Sequence, residues 1–70
     1  MYAFAKTIRN ATHVRRYTIK MVDTGWEAVT EQDNEAVRRV RYDDWHRVER
    51  AVRRFVEELE TLEEKGWTAA

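Results

Sequence analysis

Apolar and polar positions alternate through the first part of the chain and then change period. Tyr17, Ile19 and Met21 alternate with Arg16, Thr18 and Lys20. A period of two with apolar side chains on one side predicts a half-buried strand over 14–22. The preceding segment from Tyr2 to Arg9 is β-prone and roughly alternating, which predicts a strand over 2–9. Asn10-Ala11-Thr12-His13 separates the two with turn-compatible residues. Asp23-Thr24-Gly25 is the strongest turn signal, because glycine supplies the positive φ of a tight hairpin. A third strand is expected over 26–32. Asp33-Asn34 supplies the next turn, and the arginine-rich segment 36–42 a fourth strand. Such short links favour antiparallel hairpins.

From Asp43 onward the period becomes helical. Trp45, Val48, Val52, Phe55, Leu59 and Leu62 follow steps of three and four, which keeps them on one helix face. Ala51 and Val56 widen that face. Asp43-Asp44 supplies an N-cap carboxylate and Gly66 a C-terminal cap, so the helix is expected over 44–65. Glu49/Arg53, Arg53/Glu57 and Arg54/Glu58 stand four apart, a spacing that allows ion pairs on the outer face. A sheet with one apolar face must cover it. The expected fold is therefore a two-layer α+β domain. An antiparallel meander of three to four strands is followed by one long C-terminal helix packed on one sheet face.

Composition narrows the function classes. With 70 residues the chain forms a single small domain, and it contains no cysteine, no proline and two glycines. Disulfides, thiolate metal sites and cysteine nucleophiles are excluded. No apolar run is long enough to span a membrane. The charges cancel overall, yet residues 1–56 hold twelve basic and eight acidic residues and residues 57–70 hold five Glu and one Lys. A domain this small and unstapled often gains stability by oligomerising. A helix of about 20 residues also outruns a seven-residue strand by more than a turn. That overhang would expose Leu59 and Leu62, with Trp67 just beyond. The first expectation is a non-enzymatic, cytoplasmic interaction module that forms a homodimer through Phe55, Leu59, Leu62 and Trp67.

Candidate chemistry is sparse. Asp43, Asp44 and His46 are adjacent, but at a helix start that arrangement reads as capping before acid–base catalysis. His13 sits alone in a turn. Two histidines without cysteine give no metal-ligand spacing. No glycine-rich phosphate loop is present, and neither a cofactor nor a small-molecule substrate is evident. The best-motivated alternative is single-stranded DNA or RNA. Ten arginines in 70 residues is high, and strands two and four set them near Tyr17, Trp26 and Tyr42. Alternation puts Arg16, Lys20, Arg39 and Arg41 on the sheet face away from the helix, with Glu27 and Glu31 on the same face. The order of four strands and a helix is similar to that of small single-strand-binding folds such as the Pur repeats. The similarity is one of element order, and it implies a curved, basic sheet face as the binding surface. Overall neutrality weighs against it.

Overall fold

The computed structural model describes all residues, Met1–Ala70. It contains β1 (Tyr2–Asn10), β2 (His13–Val22), β3 (Gly25–Gln32), β4 (Glu35–Tyr42), α1 (Trp45–Glu64) and β5 (Thr68–Ala69). The antiparallel sheet runs β4-β3-β2-β1-β5, and α1 packs on one face of it. The two-layer α+β architecture expected from the sequence is the one observed. The short β5 is an addition: it pairs with Ile8 and Arg9 of β1.

The turns follow their residues. Asp33 and Asn34 both take positive φ, 53° and 70°, and join β3 to β4 in two residues. Ala11 takes φ 54° in the β1–β2 turn, a region an alanine enters at a cost of about 1–2 kcal/mol. Gly25 does more than turn the chain. A β-carbon there would collide with the Tyr42 carbonyl oxygen, because the backbone leading into α1 crosses directly over it. Two bulges interrupt the sheet, at Ala3 and at Val37. The first rotates Tyr2 onto the face away from the helix, opposite Lys20.

Asp44 starts α1 by accepting from the His46 amide at 2.8 Å. At the other end the Trp67 amide bonds the Leu62 carbonyl at 3.1 Å and the Gly66 amide bonds the Glu63 carbonyl at 3.1 Å. With Gly66 at φ 103° this is a Schellman cap. It folds Trp67 back onto the core beside Leu62 and leads the chain into β5.

The core is Ile8, Tyr17, Ile19 and Ala28 from the sheet against Val48, Ala51, Phe55 and Leu59 from the helix. Trp45 meets Trp26 of β3 with ring centroids 5.3 Å apart, and Phe55 meets Tyr17 of β2 at 4.9 Å and Phe4 of β1 at 5.9 Å. The helix thus crosses diagonally, from β3 at its start toward β1 at its end. The expected overhang does not arise. Its residues are met by β1 and by the chain's own C-terminal turn.

Candidate nucleic-acid interface

The residues expected at a self-association surface lie in or on the core. Phe55 and Leu59 are 7% and 5% exposed beneath the helix, and Leu62 and Trp67 are half-buried against the same cluster. The large apolar side chains left open are others: Met1, Tyr2, Met21, Val37, Trp45 and Val56.

The residues expected to contact nucleic acid do share one face. Register places Arg16 and Lys20 of β2 and Arg39 and Arg41 of β4 on the side away from α1. Between them runs β3 with Glu27 and Glu31. Arg16 stands directly opposite Glu31, and Lys20 and Arg41 flank Glu27 from both sides. Arg39 bonds Glu27 at 3.0 Å, and Arg41 donates to the Thr24 hydroxyl at 3.0 Å. Cross-strand opposite charges stabilise a sheet. They also cancel the field that a phosphate backbone would need.

A second basic surface lies on the helix side. Because α1 crosses diagonally, it leaves a groove between itself and β4. Arg47, Arg50, Arg53 and Arg54 line it together with Tyr42 and Glu57, around a recess of about 570 Å³. Arg54 bridges the groove by donating to the Tyr42 hydroxyl at 2.9 Å. Past Arg54 the groove continues into a recess of about 440 Å³ lined by Arg15, Tyr17, Glu57, Glu58, Thr61 and Leu62. The helix ion pairs expected from spacing do not close. The ion pairs present are His13–Asp33 at 3.0 Å, Arg39–Glu27 at 3.0 Å and His46–Glu49 at 4.0 Å. Holding two long exposed side chains together loses about as much rotamer entropy as the contact gains. Arg47, Arg50 and Arg53 therefore have no carboxylate partner.

Helix charge also runs against the helix dipole. Apart from the Asp44 cap, the first turn holds no acid and the last turn no base. Arg47 sits near the positive end, and Glu63 and Glu64 near the negative end. That polarity is locally unfavourable, and a broken local rule without a structural gain marks a candidate functional surface. Seven of the ten arginines fall between Arg38 and Arg54, a density visible in the sequence. Its assembly into a groove depends on the helix crossing angle.

Burial pushes the Tyr17 phenol up to about 12, with the facing Glu58 carboxylate adding to the rise. The hydroxyl keeps its proton at neutral pH. His13 is not alone in its turn: its Nδ1 lies 3.0 Å from Asp33 Oδ2, and the Val14 amide donates to Asp33 Oδ1 at 2.9 Å. These two bonds hold the Asp33 carboxyl below its ordinary value. The pair is a clamp between the β3–β4 turn and β2. No helix is long and apolar enough to cross a membrane, and no group of three potential ligands gathers for a metal ion. No family model, no curated protein and no solved structure matches the chain.

Proposed function

We propose that this chain is a non-enzymatic binding module that holds single-stranded nucleic acid in the groove between α1 and β4. The observation that carries the reading is the set of helix arginines free of carboxylate partners beside the Tyr42 ring. Planar guanidiniums suit phosphate oxygens, and a charged groove with an aromatic platform is what a single strand requires. The groove replaces the sheet face as the contact surface, since Glu27 and Glu31 neutralise the latter. The absence of cysteine suits a reducing compartment, and a cytoplasmic location belongs to the proposal. Fluorescence anisotropy with a labelled thymidine oligonucleotide of about a dozen nucleotides tests it. Saturable binding that weakens with salt is expected; no binding at about 50 mM salt would end the proposal.

Self-association is a second reading, favoured by the open edge of β1. The C-terminal residues cover β1 only from Thr7 to Arg9, where Ala70 N–H donates to the Thr7 carbonyl at 3.1 Å and β5 pairs with Ile8 and Arg9, so the edge before Thr7 is unpaired. Met21, 58% exposed, and Phe4 lie on the helix-side face beside it. The other edge, β4, is blunted by the Val37 bulge and by arginines. The occupant that fits is a second copy, pairing β1 with β1 about a two-fold axis. Light scattering at micromolar concentration would then give twice the 8.5 kDa chain mass. A folded monomer removes this reading and leaves the first intact.

A further inference from the structure

The far recess of the groove differs in chemistry from its arginine-lined mouth. Two buried donors there, Arg15 Nε and Tyr17 Oη, stand beside each other and beside the Glu58 carboxylate without closing a hydrogen bond of good geometry. Tyr17 is 0% exposed, one of the most deeply buried side chains of the chain. Buried polar groups are nearly always paired, so two donors so placed in one recess point to a ligand that supplies acceptors. The same recess carries the Glu57 and Glu58 carboxylates, neither of which closes an ion pair. A phosphate is repelled by that pair of acids. A group offering acceptors toward the sheet and donors toward the helix is not. Leu62 adds apolar wall, and the Arg15 guanidinium, 5.6 Å over the Tyr17 ring, adds a flat cationic face.

We infer that this recess takes one unstacked nucleobase, and that guanine fits it best. The inference rests on the nucleic-acid reading above and names the base that the same groove selects. Guanine alone among the four common bases presents two adjacent N–H donors beside a carbonyl acceptor on one edge. The donors match a carboxylate of Glu58, and the carbonyl matches Arg15 and Tyr17. Phosphates on either side of the base lie toward Arg47, Arg50 and Arg53. Unstacked bases are commonly read in this way, on their hydrogen-bonding edges.

Anisotropy titrations compare a thymidine oligonucleotide with the same strand carrying one central dG. The guanine strand should bind about tenfold more tightly, within the discrimination a good bidentate contact provides. Glu58→Gln, an exposed position, should erase that preference, so that the two strands bind equally. Tyr17→Phe should reduce it while the fold is retained. Equal binding of the two strands by the unaltered protein, or a preference that survives both substitutions, overturns the base site alone. Failure to bind either strand overturns it together with the proposed function.

Discussion

Replacing Arg50 and Arg53 together by alanine should halve the salt dependence of oligonucleotide binding. Four helix guanidiniums line the groove, from Arg47, Arg50, Arg53 and Arg54. Each phosphate contact on a single strand contributes a slope of about −0.7 in log K against log salt. Four contacts give about −2.8, so raising salt from about 50 to about 200 mM should weaken binding about fiftyfold. With two contacts the slope falls to about −1.4 and the loss to about sevenfold. Both positions are exposed, and alanine is the best helix former, so the fold should be unaffected. The assay is anisotropy at several salt concentrations, with circular dichroism to check folding. An Arg16→Ala, Arg39→Ala protein should keep the original slope. The reasoning is refuted if the helix pair leaves the slope unchanged, or if the sheet pair is the one that halves it.

Three further outcomes follow from the geometry. Arg47→Glu removes a cation from the positive end of the helix dipole; it should raise stability by about 0.3–1 kcal/mol and Tm by about 1–8 °C while weakening oligonucleotide binding, and a lower Tm contradicts the dipole argument. Ala11→Gly relieves the left-handed alanine at φ 54° and should add about 0.5–1 kcal/mol in urea unfolding, whereas a destabilised variant would show that the turn is unstrained. Asp33, held below its ordinary 3.8 by His13 and the Val14 amide, stabilises the fold above that value and stops doing so as pH falls through its lower folded value. Acid unfolding of Asp33→Asn should therefore lack a component that the unaltered protein loses below about pH 4; parallel curves would refute the clamp.

The pattern along the chain was enough for the meander, the helix and the side of the sheet that each strand residue faces. Arg16, Lys20, Arg39 and Arg41 lie on the face that alternation assigned them, because a period of two leaves only one choice once Tyr17 and Ile19 are inward. Periodicity has nothing to say about crossing angle. Whether Leu59 overhangs the sheet or lies on Ile8 depends on how Trp45 seats on Trp26 and Phe55 on Phe4, contacts that are distant in sequence. The Trp67 fold-back was half legible: Gly66 marked the cap, but β5 is two residues long and carries no strand signal. The groove was missed for the same reason as the angle. By spacing, Arg53 and Arg54 read as partners of Glu49, Glu57 and Glu58 on the outer helix face, and only the diagonal crossing sets Tyr42 beside Arg47, Arg50, Arg53 and Arg54.

The most direct measurement is the map of amide and side-chain chemical shifts of the protein titrated with a thymidine oligonucleotide. The groove account predicts that shifts concentrate at Tyr42, Arg47, Arg50, Arg53 and Arg54, while Thr18, Val29 and Arg39 on the opposite face stay still. Shifts confined to that opposite face, or none anywhere, would contradict it.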